Sequence, residues 1–268
     1  MRRRSPKTAN PASADMGSLG RGLDILRSLG TFSSVITVAE LATWPGNSRA
    51  TAKRLLHTLA TEGFLNLIPD RVDEGAYEPD LACLNLGTAL LGSFKELWQR
   101  QPVLQDIARR FEVDLLVATC DGAQALVIEH ALSSAVMQNS LVGSVAPIDS
   151  NAWGRCLVWM HSAAEQATLT DGIRQGQGLR AAASLGALYQ AFQSLEENGR
   201  CIFEIDDRSV AIGLPVAASA GSPLLAIGCI APHTLLKDTS RANAFWGQLA
   251  NLSMVINRPV AINQEIQK

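Results

Sequence analysis

One stretch constrains this chain more than any other: Ser48-Arg49-Ala50-Thr51-Ala52-Lys53-Arg54-Leu55-Leu56-His57-Thr58-Leu59-Ala60-Thr61. Wound as a helix from Arg49, it puts Leu55, Leu59, Ala52 and Leu56 between roughly 240° and 340°. Arg49, Lys53, His57, Arg54, Thr58 and Thr51 fall between roughly 0° and 200°. No acid shares that second arc. An ordinary solvated helix mixes Glu with Lys, whereas a helix lying in a major groove beside phosphates cannot tolerate carboxylates there. The plain alternative is a basic surface helix, and the surroundings of the stretch separate the two readings.

Those surroundings predict a small helical domain ending in a hairpin. Leu19, Leu23, Leu26 and Leu29 line one face of a helix that Gly30 can stop. Thr37-Val38-Ala39-Glu40 has the spacing of a capping box, and Val38, Leu41 and Ala42 form a short apolar stripe after it. Trp44-Pro45-Gly46-Asn47 breaks that helix, Asn47 or Ser48 can cap the basic one, and Gly63 ends it. Residues 64–68 alternate like a strand, 69–75 form a polar turn, and Ala76-Tyr77-Glu78 can return. Helix, helix, turn, basic helix and hairpin is the order of a winged helix-turn-helix. The wing offers Arg71 to a phosphate, but Asp70, Asp73 and Glu74 argue against deep insertion.

Charge supports the division. The first 60 residues carry nine Lys/Arg against three acids, whereas the rest carry fourteen against twenty-two. Opposite signs suggest two domains, the first facing something anionic. Residues 1–17, with Arg2, Arg3, Arg4 and Lys7, read as a disordered basic arm rather than a secretory signal, because no apolar segment follows. No apolar run is long enough for a membrane span. The five cysteines are odd in number and lack a C-x-x-C pair, which suggests reduced thiols in a cytoplasm.

Four segments then resemble the IclR family of bacterial transcriptional regulators: Ser18-Leu19-Gly20-Arg21-Gly22-Leu23-Asp24-Ile25-Leu26, Val38-Ala39-Glu40-Leu41-Ala42, the 48–59 helix, and Gly63-Phe64-Leu65. Arg54-Leu55-Leu56 and Thr58-Leu59 match the family's recognition helix, and 80–92 resembles its linker helix. The resemblance implies an α+β chain. A winged helix-turn-helix over 18–79 and a linker helix over 80–95 precede a GAF-like α/β effector-binding and oligomerisation domain with an antiparallel sheet over 96–268. It implies a repressor or activator of a catabolic operon that binds double-stranded operator DNA as a homodimer or dimer of dimers. Ser48, Arg49, Thr51, Lys53, Arg54 and His57 would face the DNA, Arg54 and His57 near bases, Arg49 and Lys53 near phosphates.

The remaining chain reads as a helix at 103–112 and strands at 115–120 and 125–130 around Asp121-Gly122, with a further short strand at 137–142. A helix from about 152 to 161 follows an extended segment, then come a helix at 184–197 and strands at 200–205, 210–216 and 224–230. Ser240 can cap a final helix ending near Asn257. The resemblance puts the effector site at Ala152, Trp153 and Gly154, whose amides can hold a carboxylate, with Asp206, Ala211 and Cys229 facing them. The chain departs from the family there. Asp149-Ser150-Asn151 replaces a His-Ala-Thr, Arg155 replaces a Lys, and Gly228 and Ile230 replace serines. A more apolar pocket favours an aromatic or hydrophobic acid over a small dicarboxylate.

An enzyme and a protein-interaction module are the competing classes. His57, His130, His161 and His233 show no metal-ligand spacing, and neither a nucleophile elbow nor a phosphate or dinucleotide loop is present. The sequence therefore points to no metal, no cofactor and no catalytic residue. The acid-free helix face disfavours a module that only binds protein.

Overall fold

A computed structural model describes residues 17–31, 34–92, 94–133, 142–177, 180–217 and 223–256. Nearly all of the basic arm and most of the 137–142 strand lie outside them; Val142 is in a turn. The chain divides into two compact units, 1–93 and 94–268.

In the first unit, α1 (Gly17–Thr31) is followed by β1 (Ile36–Thr37), α2 (Val38–Ala42), α3 (Arg49–Thr61), β2 (Leu65–Leu67), β3 (Ala76–Pro79) and α4 (Leu81–Gly92). The capping box is present: Thr37 Oγ1 accepts from Glu40 N–H at 3.1 Å, and the Glu40 carboxylate accepts from Thr37 N–H at 3.2 Å. β1 was not apparent in the sequence. It spans two residues directly before the cap, yet it completes an antiparallel sheet in the order β1-β3-β2. Pro69–Glu74 closes the wing as a 3₁₀ turn, and Gly75 leaves it at φ +59°. A Cβ on Gly75 would stand 2.7 Å from Val38 Cγ2, so both the conformation and the space require glycine. Ile25, Leu41, Ala52, Leu56 and Leu65 are essentially inaccessible and form the core. α4 leaves Leu81, Leu84, Leu86 and Leu90 exposed.

The second unit begins with Phe94, which is buried in its core. Then come α5 (Lys95–Gln99), α6 (Gln101–Phe111), β4 (Asp114–Asp121), β5 (Gln124–Ala131), β6 (Val145–Pro147), α7 (Ala152–Met160), α8 (Ala163–Gln177), α9 (Ala181–Asn198), β7 (Cys201–Glu204), β8 (Ser209–Pro215), β9 (Leu225–Pro232), α10 (His233–Lys237) and α11 (Thr239–Val255). α5 and α8 were not read from the sequence. The strands form one antiparallel sheet in the order β6-β5-β4-β9-β8-β7. Each face has its own apolar layer. Leu104, Phe111, Ile212, Ile227, Phe245 and Leu249 pack on the α6 and α11 side. Leu116, Ala125, Ala152, Leu157, Leu188 and Ala226 pack on the side of α7 and α9. Asp238, not Ser240, caps α11: its carboxylate accepts from Arg241 N–H at 3.0 Å, two residues earlier than expected.

Candidate nucleic-acid interface and ligand cavity

α3 is set by its cap and its buried stripe. Ser48 Oγ accepts from Thr51 N–H at 3.1 Å and lies 3.0 Å from Thr51 Oγ1, so both hydroxyls of this pair are already engaged in starting the helix. Ala52 and Leu56 are fully buried, with Leu55 and Leu59 half-buried beside them. The opposite face exposes Arg49, Lys53, Arg54 and His57. None of these four side chains has an ion-pair or hydrogen-bond partner among the described residues. Thr58 and Thr61 turn their hydroxyls inward, donating to the carbonyls of Arg54 and His57. The turn before α3 is held by Asn47 Nδ2, which donates to the Leu41 carbonyl, and by Arg21, which donates to the Gly46 carbonyl. A rigid helix thus presents cationic and imidazole groups whose donors are unused.

The wing does not add to that face in the way expected of Arg71. Its guanidinium is paired with Glu74 at 2.5 Å, three residues along the same turn.

The second unit holds a cavity of about 170 Å³ between the sheet and the first turn of α7, lined by Leu116, Ala125, Val127, residues 144–146, Trp153 and Ile230. The Trp153 ring lies directly on the backbone of Gly228: a Cβ there would meet Trp153 Cε3 at 2.6 Å and Leu116 Cδ1 at 2.6 Å. Trp153 Nε1 is buried and has no partner among the described residues. Such a group carries a desolvation cost that an acceptor on a ligand or water would relieve.

The six residues expected around an effector are not all brought together. Trp153 reaches the cavity. Ala152 and Gly154 serve the packing of α7 instead. The Gly154 amide donates to Asn151 Oδ1 at 2.6 Å, and a Cβ at Gly154 would stand 2.2 Å from the Ile148 carbonyl oxygen. Across the interface, a Cβ on Gly213 of β8 would stand 2.3 Å from the Ala152 carbonyl oxygen. Ala211 is on the α7 side of the sheet, but it is buried beneath that helix, outside the cavity lining. Cys229 points to the other face, into the layer with Phe111 and Phe245, because neighbouring strand residues alternate sides. Burial pushes its thiol far up from the ordinary range. Asp206 is exposed in the β7–β8 turn. Hydrogen bonds from the Arg208 and then the Ser209 amides hold its carboxyl below the usual range. Arg155 is also directed elsewhere, its Nε donating to the Asp149 carbonyl and its guanidinium lying 5.1 Å over Phe203. Sequence reasoning missed Leu116, Ala125 and Val127 as cavity walls, whereas Ile230, read as an apolar replacement of a serine, does line the cavity.

Residues 18–67 match the IclR helix-turn-helix domain, and residues 94–257 match the C-terminal domain of the bacterial transcriptional regulator IclR. The chain belongs to the IclR family. It is a transcriptional regulator with a DNA-binding helix-turn-helix and a ligand-binding C-terminal domain, not an enzyme. It is 23% identical to the transcriptional repressor IclR of Escherichia coli over 246 residues, 88% of each chain. The fold resembles that of an IclR-family regulator from Brucella abortus, at TM-score 0.76 and 21% identity, covering 93% of this chain and 95% of the other. It also resembles an IclR homologue from Microbacterium hydrocarbonoxydans complexed with 4-hydroxybenzoate, at TM-score 0.66 and 16% identity, covering 90% of this chain and 98% of that one. Among the described residues, no helix is long and apolar enough to cross a membrane.

Proposed function

We propose that this IclR-family chain controls a catabolic operon by reading operator DNA with α3 and sensing a small monocyclic aromatic acid in the cavity at Trp153. The observation that carries the first half is the set Arg49, Lys53, Arg54 and His57, without partners among the described residues, on the exposed face of a capped, packed helix. Arg54 and His57 lie near the centre of that face and suit base edges; Arg49 and Lys53 lie nearer its edge and suit phosphates. Ser48 and Thr51, already bonded to each other, offer a phosphate only their remaining capacity. Exposed leucines on α4, with Leu19 and Leu23 of α1, support self-association, and two copies of α3 would then read two half-sites.

The second half rests on size and polarity. At about 170 Å³ the cavity is smaller than typical drug-sized pockets and suits one ring. Its walls are apolar apart from Ser144, and the Trp153 N–H would donate to the acid's acceptor oxygen. The first turn of α7 adds a favourable dipole for an anion. The 4-hydroxybenzoate held by the Microbacterium hydrocarbonoxydans homologue is a ligand of this class. Occupancy would act by binding one of two DNA-binding arrangements better than the other.

The experiment is a gel-shift titration on DNA flanking the chain's own gene, with and without benzoate or 4-hydroxybenzoate, using wild type and Trp153→Phe. Ligand-dependent binding that weakens in Trp153→Phe is expected. Specific binding that no monocyclic acid alters would refute the effector assignment.

A further inference from the structure

A second, larger cavity lies at the opposite end of α7 from Trp153. It measures about 560 Å³ and is walled by Trp159 and Met160 from the end of α7, Arg200 before β7, Leu214 of β8, and Trp246 and Met254 of α11. That volume falls in the range of small-molecule sites. Its chemistry differs from the cavity at Trp153, which has no cation among its described lining residues. Here Arg200 is half-buried with its guanidinium stacked 4.2 Å from the Trp246 ring centroid. The stack fixes the plane of the guanidinium and leaves the N–H donors at its edge unused. Among the described residues, no carboxylate or carbonyl takes them up. The C-terminal dipole of α9 favours a cation at this place, which helps to explain an arginine there but does not use its donors.

We infer that this cavity is a second ligand site, separate from the cavity at Trp153, and that it takes a hydrophobic monocarboxylate too long for the smaller one. A planar fork of donors matches a carboxylate edge-on. The apolar body of the ligand would lie across Trp159, Met160 and Met254, where indole and thioether surfaces accept flat or flexible hydrocarbon. Arg200 is the one charged side chain among the described lining residues, beside the neutral Asn198 and Ser253, and a single cation matches one negative charge, not a polyanion. α7 is the common wall of both sites, Trp153 in its first turn and Trp159 in its last.

The test uses the full chain and isothermal titration with 3-phenylpropanoate and octanoate, each paired with its neutral amide. Wild type binds the acids saturably and the amides roughly tenfold or more weakly, as loss of a charged hydrogen-bonded pair implies. Arg200→Gln removes the preference for acid over amide, and Met254→Trp, which narrows the cavity at its rim, weakens binding of both. Trp153→Phe leaves these affinities unchanged, so failure of the aromatic-acid site and failure of this one are read separately. Three outcomes overturn the inference: no saturable binding of either acid, acid binding that Trp153→Phe abolishes and Arg200→Gln spares, or a change of sedimenting species in Arg200→Gln, which would make the cavity a contact between copies.

Discussion

Replacing Arg49 and Lys53 together by alanine should flatten the salt dependence of operator binding without touching the fold. Both side chains are exposed on α3 and have no partner among the described residues, so truncation should change stability by less than about 0.5 kcal/mol. Each phosphate contact contributes about 0.9 to the slope of log affinity against log salt. Two such contacts in each of two subunits give a fall in slope of about 3.6. Raising salt from about 50 to about 200 mM should therefore cost the variant about two decades less affinity than it costs wild type. Arg54→Ala with His57→Ala should behave differently. Removing base contacts of about 1–3 kcal/mol each lowers affinity for operator over random DNA, with the salt slope falling less. Fluorescence anisotropy at five salt concentrations on operator and scrambled duplexes reads both quantities. If both pairs leave slope and specificity at wild-type values, α3 does not lie in the groove.

Four further outcomes test the fold that holds these sites. Gly154→Ala sets a Cβ 2.2 Å from a backbone carbonyl and should cost about 3 kcal/mol, lowering the second unit's melting temperature by about 6–12 °C in calorimetry. Gly75→Ala, strained in φ and 2.7 Å from Val38, should destabilise clearly more than Gly122→Ala, which shares a positive φ but has nothing within 4 Å; equal losses in denaturant melts would contradict the contact. Thr37→Ala removes the α2 cap and should cost about 1 kcal/mol by urea titration. Burial raises the Cys229 pKa, so above pH about 9 the unfolded chain loses a proton that the folded chain keeps. Stability should then fall by up to about 1.4 kcal/mol per pH unit more steeply in wild type than in Cys229→Ala, and parallel pH curves would show that the thiol ionises freely in the fold.

Local rules made the first unit legible. The capping box at Thr37 and Glu40, the Ser48 cap and the apolar stripe through Leu56 each act within a few residues, and each appears in the structure where the spacing places it. β1 escaped because two residues carry no period and gain their strand character only by pairing with Ala76 and Tyr77. The second unit resists such reading for a different reason. Leu225-Ala226-Ile227-Gly228-Cys229 is apolar throughout because both faces of the sheet are covered, so no alternation tells which side Cys229 faces. Trp153 could be placed beside the ligand site by resemblance. Its resting place on Gly228 depends on a strand far along the chain, and that contact decides the size of the cavity.

The two glycine contacts beneath α7 have a mechanical consequence. Gly213 against the Ala152 carbonyl locks the helix to the sheet at its first turn, and Gly154 against the Ile148 carbonyl holds that same turn to the segment leading out of β6, like a key in two wards. Sliding or rolling the helix would drive backbone into backbone. A guest larger than the cavity must therefore make room at the free margin of the sheet, where β6 is a strand of only three residues held by β5 alone. The stiff wall and the yielding wall of this sensor are thus set by where side chains are missing.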